Sequence, residues 1–161
     1  MTETVKITHK KHQVAPIAEV WECRQTRNKS LHAIGEFCPG EVLFSFGARE
    51  ILAKPNYLSV QLDKNRHILL DPEWLQCINH SCDPNVDFDT TEMRVTALRQ
   101  INTGEELTFF YPSTEWSMDR AFKCHCGSQA CLGKIEGAGQ LPREILGKYR
   151  LSQHIKHQLG I

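Results

Sequence analysis

Ile78-Asn79-His80-Ser81-Cys82-Asp83-Pro84-Asn85 is the stretch whose reading decides the fold. Asp83-Pro84-Asn85 is strong turn punctuation between an apolar run, Ile68-Leu69-Leu70, and an alternating run from Val86 to Val95. A plain turn has no need of Asn, His and Cys in succession. The amide can fix a backbone, the imidazole can hydrogen-bond, and the thiolate can hold a metal. Two later segments offer partners. Gly104-Glu105-Glu106-Leu107-Thr108-Phe109-Phe110-Tyr111 is an acidic turn leading into an aromatic strand that ends in Tyr. Cys124-His125-Cys126 has Cys131 five residues on.

The order Asn-His-Ser-Cys, then Gly-Glu-Glu-Leu-…-Tyr, then Cys-x-Cys-x4-Cys resembles the SET-domain protein lysine methyltransferases with a post-SET zinc segment. The resemblance covers roughly residues 17 to 135. It implies a mostly β chain: a SET domain of small β-clip-like sheets with a pseudoknot over 14–115, and a post-SET zinc segment over 116–135. A flexible N-terminal segment over 1–13 and a C-terminal helical extension over 136–161 flank them.

Bulk composition agrees with one soluble domain. The 161 residues are enough to bury a core without disulfides, and 40% hydrophobic with 24% charged residues is ordinary. Nineteen basic and nineteen acidic residues cancel, so no nucleic-acid or anionic-membrane surface is expected. The N-terminus lacks an apolar signal core, and no run reaches the length of a membrane span. Seven Cys without a secretory signal point to an intracellular, reducing compartment (cytoplasm, or nucleus in a eukaryote) and to metal over disulfides. Cys23, Cys38 and Cys77 read as small buried hydrophobes.

Short strands recur along the chain: Val14 to Arg24, Val42 to Phe46, Arg49 to Ala53, Tyr57 to Leu62, Arg66 to Leu70, Arg94 to Leu98 and Glu105 to Tyr111. No GxGxxG joins a strand to a helix, which argues against a Rossmann-type methyltransferase. Asp71 to Gln76 reads as one helical turn. Leu141 to Leu159 reads as a helix, with Leu141, Ile145 and Tyr149, then Leu151, Ile155 and Leu159, stepping at i, i+4.

Three closely spaced thiolates ask for a fourth ligand to complete a tetrahedral zinc site. His125 is a poor fourth ligand between its neighbours. The resemblance implies Cys82, with Cys124, Cys126 and Cys131, as the set, and Leu132 as part of a lid over the cofactor. A disulfide, or idle thiols, is the alternative for these cysteines.

Methyl transfer from a sulfonium to an amine is an in-line displacement needing a neutral amine, alignment and little water. The resemblance implies S-adenosylmethionine as cofactor, structural zinc, and a lysine in a protein or peptide as substrate. It implies Tyr111 as the catalytic Tyr and Lys29, Ser30, Leu31, Asn79, His80, Tyr111 and Leu132 as cofactor residues. Phe109 occupies the position that tunes product size, and Tyr57 is a candidate for the channel wall or, more simply, for core packing. Of Glu105 and Glu106, usually solvated surface, one is expected to bond backbone near Asn79 through the pseudoknot. Asn28-Lys29-Ser30 stands where the family carries Gly-x-Gly; Asn tolerates a left-handed backbone and Ser is small. That departure motivates the runner-up, a catalytically weak SET-like zinc-containing module that binds a protein partner. A plain zinc-binding adaptor is a third reading.

Overall fold

The computed structural model describes residues 6–161. β1 (His9–Ala15) and β2 (Ala18–Cys23) form a hairpin, and β3 (Lys29–Ala33) adds to the far side of β2. The single strand expected over Val14 to Arg24 is divided, because Pro16-Ile17 turns the chain and Ala15 pairs with Ala18. The segment expected to be flexible is thus an exposed edge strand from His9 onward; residues 1–5 lie outside the described residues.

After the Pro39-Gly40 turn come β4 (Val42–Ser45) and β5 (Gly47–Leu52). Of the strand expected over Tyr57 to Leu62, only β6 (Val60–Gln61) pairs. The Asp63 carboxylate accepts the backbone amides of Asn65 and Arg66, both at 2.9 Å, and so shapes the turn into β7 (His67–Asp71). β7 lies between β5 and β6 and is buried from His67 to Leu70, which is why its apolar residues run on without alternation.

A 3₁₀ turn over Glu73–Cys77 delivers the chain into β8 (Asn79–His80). β9 (Val86–Asp89) and β10 (Arg94–Ala97) join β4 in an antiparallel sheet of order β4-β10-β9. β11 (Thr108–Phe109) runs parallel to β8, Thr108 opposite Asn79 and Phe109 opposite His80. It is shorter than the strand expected over Glu105 to Tyr111. Leu107 spends its amide on the Leu31 carbonyl at 2.8 Å, and Tyr111 already begins a 3₁₀ turn. β12 (Phe122–Lys123) and β13 (Lys134–Ile135) bracket the cysteine loop.

The main core gathers Leu31, Ile68, Phe88 and Val95 from three sheets, with Leu75, Ile78 and Leu107 from the segments that lead into β8 and β11. A second core, around Phe110, Leu146, Leu151, Ile155 and Leu159, seats the C-terminal segment. That segment is two short helices and not one: α1 (Arg143–Leu146) and α2 (Gln153–Leu159). Of the i, i+4 residues, Leu141, Tyr149, Leu151, Ile155 and Leu159 pack on this core, whereas Leu146 is buried there in place of Ile145; the Tyr149 ring lies flat on Phe110, 3.6 Å between centroids, and Ser152 starts a new helix by accepting the Ile155 amide. Among the described residues no helix is long and apolar enough to cross a membrane. The expected burial of the three spare cysteines holds for Cys77 alone; Cys23 is half-buried and Cys38 exposed, each lying near a turn.

Candidate active site and metal centre

Four sulfur atoms, those of Cys82, Cys124, Cys126 and Cys131, lie within 4.8 Å of one another. A tetrahedral zinc with Zn–S bonds of about 2.3 Å holds its sulfurs roughly 3.8 Å apart. The Cys82 to Cys124 separation is 3.9 Å, so the residues fit the ion. All seven cysteines are free thiols, which sets aside the disulfide alternative. Without a cation, burial pushes the Cys82 thiol up to about 12; a bound cation reverses that preference. The Leu132 amide donates to Cys82 Sγ at 3.4 Å and the Tyr149 hydroxyl to the Cys82 carbonyl at 2.7 Å. The cysteine loop and the C-terminal segment are therefore tied to the central stretch at one residue.

Asn79 and His80 are held by the threading of two loops. The Asn79 side-chain amide donates to the Lys29 carbonyl at 2.9 Å and to Glu106 Oε1 at 3.1 Å. It is thus the Asn79 side chain, and not backbone beside it, that meets the acidic pair. Glu105 instead accepts the Ala33 amide through its backbone carbonyl at 3.0 Å. Asn85, 2% exposed, is the clamp: its Nδ2 donates to the Glu106 carbonyl at 2.8 Å and its Oδ1 accepts the Thr108 amide at 2.9 Å.

The Tyr111 amide donates to His80 Nδ1 at 3.1 Å. That amide can only donate, so Nδ1 is the bare nitrogen and Nε2–H faces Cys82 Sγ at 3.4 Å. Burial pulls the His80 pKa down to about 4, consistent with a neutral ring packed on Phe110, Tyr111 and Phe122. The Tyr111 hydroxyl donates to the Ile78 carbonyl at 3.3 Å, and burial raises its pKa, keeping the phenol protonated.

Tyr111 and Tyr57 line one cavity of about 240 Å³, with Tyr57 at its rim, 70% exposed. The core-packing alternative for Tyr57 is thereby removed. Phe109 stands behind Tyr111, ring centroids 4.6 Å apart, packed on Phe88 and outside the cavity lining. Lys29 borders a different cavity, of about 590 Å³, with Trp74, Gln76 and Cys77.

Two expectations need correction here. The left-handed residue expected at Asn28 is instead Arg27, at φ 66°; Asn28 lies just ahead of β3, to which Lys29, Ser30 and Leu31 belong. Leu31 is fully buried with its carbonyl taken by Leu107, so it supports the floor and presents no group to a ligand. Three participants escaped the sequence reading: Asn85, Phe122 and Glu115. The signal for Glu115 is a lone acid between Thr114 and Trp116, four residues after the Tyr.

A family model described as the SET domain matches residues 7–112. The chain is 45% identical over 125 residues to Methyltransferase flvH of Aspergillus flavus, spanning 76% of this chain and 70% of that protein. It is 36% identical over 89 residues to the H3 lysine-36 specific histone-lysine N-methyltransferase of Schizosaccharomyces pombe, 52% of this chain but 10% of that one. Among solved structures, KRYPTONITE in complex with mCHH DNA, an H3(1-15) peptide and SAH superposes with a TM-score of 0.55 at 20% identity. The match covers 71% of this chain and 28% of that one. Since that neighbour was solved with DNA, the expectation of no nucleic-acid contact gains no support from it.

Proposed function

The chain belongs to the SET-domain family of methyltransferases, and on that premise we propose that it transfers the methyl group of S-adenosylmethionine to the ε-amine of a lysine in a protein. The observation that carries the proposal is Tyr111: a half-buried, protonated phenol on the 3₁₀ turn after β11, its backbone amide held by His80 and its hydroxyl by the Ile78 carbonyl, lining the Tyr57 cavity. This reading divides the chain into a SET domain over 14–115, a post-SET segment over 116–135 and a helical extension over 136–161, with β1 beginning ahead of the first bound.

On this reading the Lys29 ammonium, which also stands 4.0 Å from the Glu22 carboxylate, would meet the carboxylate of the cofactor's amino-acid end, Asn79 and His80 would offer polar backbone edges, and Phe122 and Leu132 would offer apolar cover. The cofactor supplies an electrophilic methyl group. What this chain supplies is position and exclusion of water: aromatic walls beside the amine, and a hydroxyl at Tyr111 that keeps its proton throughout. Cys82, Cys124, Cys126 and Cys131 would hold the zinc, and the Cys82 thiol keeps Leu132 beside the central stretch.

Calorimetric titration of the zinc-loaded chain with S-adenosylmethionine tests the reading. One saturable site of roughly micromolar affinity is expected. Tyr111→Phe, assayed on an array of lysine-containing peptides, should keep the fold and lose at least about a hundredfold in turnover. Absence of cofactor binding overturns the enzyme and favours the partner-binding module; near-normal turnover in Tyr111→Phe removes that Tyr from the chemistry.

A further inference from the structure

Glu115 is a buried carboxyl with no cationic partner among the described residues. Only 6% of it is exposed, yet it lines the 240 Å³ cavity with Tyr57, Tyr111 and Phe122. The two hydrogen bonds it accepts both end on Oε2: the Gln61 amide at 2.9 Å and the Thr114 hydroxyl at 2.7 Å. Oε1 has no partner among the described residues. Structural duty therefore occupies one oxygen and leaves the other for the cavity. The remaining charged lining, Asp119 and Arg120, stands at the rim, the two paired with each other at 3.9 Å and Arg120 lying 5.8 Å from the Tyr57 ring.

We propose that Glu115 is a catalytic residue of the amine site, its free carboxylate oxygen receiving the substrate's primary ammonium and taking the proton that must leave before methyl transfer. This deepens the methyltransferase reading and rests on it. The step balances: an N–H bond of the ammonium breaks and an O–H bond forms on Oε1. The freed lone pair then makes the N–CH₃ bond as the sulfonium C–S bond breaks, its electron pair remaining on sulfur. Glu115 returns its proton to water at the Tyr57 rim.

Burial lifts the Glu115 pKa to about 7, against the Gln61 and Thr114 hydrogen bonds that lower it, so the group exchanges protons in the range where an amine must be unloaded. Titratable or charged groups on the elements around it are Tyr57, Tyr111, Asp119 and Arg120 in the cavity, and His67, opposite Gln61 in the β6–β7 pairing.

The experiment uses the zinc-loaded full chain carrying ¹³C at the glutamate carboxyls, titrated by NMR with n-butylammonium chloride or, at matched ionic strength, 1-butanol. The Glu115 signal is assigned by its loss in Glu115→Gln or, should that variant not fold, in Glu115→Asp. The ammonium is expected to lower the Glu115 midpoint by about one pH unit or more, and the neutral isostere to leave it in place. A midpoint unmoved by butylammonium, or moved equally by butanol, overturns the proposal. Neither arm needs cofactor or turnover, so failure here is distinct from failure of the cofactor titration. With a methylated peptide in hand, Glu115→Gln retains both Oε2 bonds and should lose roughly a hundredfold in kcat/KM together with the acid limb near pH 7. An unchanged pH profile makes Glu115 structural only.

Discussion

Glu115 sets an activity against a stability. Its folded-state pKa of about 7 lies above the ordinary glutamate value of 4.5, so its stabilising share is fully present below about pH 4.5 and is lost as pH rises through 7. The rise of about 2.5 pH units corresponds to about 3 kcal/mol. Glu115→Gln cannot ionise and should therefore melt several degrees above the parent chain at pH 8 to 9, with the gap closing toward pH 5; melting curves at the two pH values check this, and a gap that widens on acidification contradicts the burial assignment. At this scale the sequence was partly legible. Asn79, His80, Tyr111 and the four cysteines announce themselves because each is a specialised group at a fixed spacing. Asn85 and Glu115 do not, because their meaning lies in partners that the chain brings back from afar, Thr108 and Gln61.

Gly137 shows how one element sets another. It adopts φ 130°, and a Cβ there would come within 2.5 Å of the Trp116 carbonyl. The neighbouring Ala138 and Gly139 amides donate to the Glu115 and Trp116 carbonyls, at 2.9 and 3.0 Å. The 3₁₀ turn over Ala138–Gln140 is thus the backing of the segment that carries Glu115. Gly137→Ala should cost more than about 2 kcal/mol in denaturant unfolding, through strain and displaced backbone together. A loss under about 0.5 kcal/mol would mean that the contact relaxes freely. Elements were legible as types more than as extents. Composition and alternation located β2, β4, β5, β7 and β10, but missed β3 and overran β6 and β11, which are only two residues long. Their flanking backbone is claimed by tertiary partners, which no local pattern encodes. The C-terminal helix failed for the same reason: the periodicity recorded most of the residues that pack around Phe110, with Ile145 in place of Leu146, and not whether the path between them is helical.

The whole molecule is closed at Cys82. Main core, cysteine loop and C-terminal segment converge there through the sulfur cluster, the Leu132 amide and the Tyr149 hydroxyl. Metal binding of this kind is itself folding free energy. Elemental analysis should find one zinc per chain. Cys126→Ser, or dialysis against a chelator, should lose the metal, lower the melting temperature and weaken cofactor binding; full zinc occupancy in Cys126→Ser would sink the four-sulfur assignment. The order of the three motifs made this closure readable as a resemblance, whereas the Tyr149 contact, 67 residues away from Cys82, left no trace in the sequence.

The parallel pairing of β8 with β11 has a kinetic corollary. Two residues on each strand make too small a ladder to nucleate, and the Asn79 to Lys29 bond bridges fifty residues of chain. The loops must first be laid down, and only then can the later segment be drawn through. A chain of such distant closures folds slowly for its size. The amine cavity is consequently among the last features to appear as the polypeptide matures. Refolding chains are therefore expected to become compact and protease-resistant before they bind their ligands, an order that pulsed proteolysis run alongside cofactor binding checks, and those ligands, by holding the final crossing shut, should speed no early step yet slow the first step of unravelling.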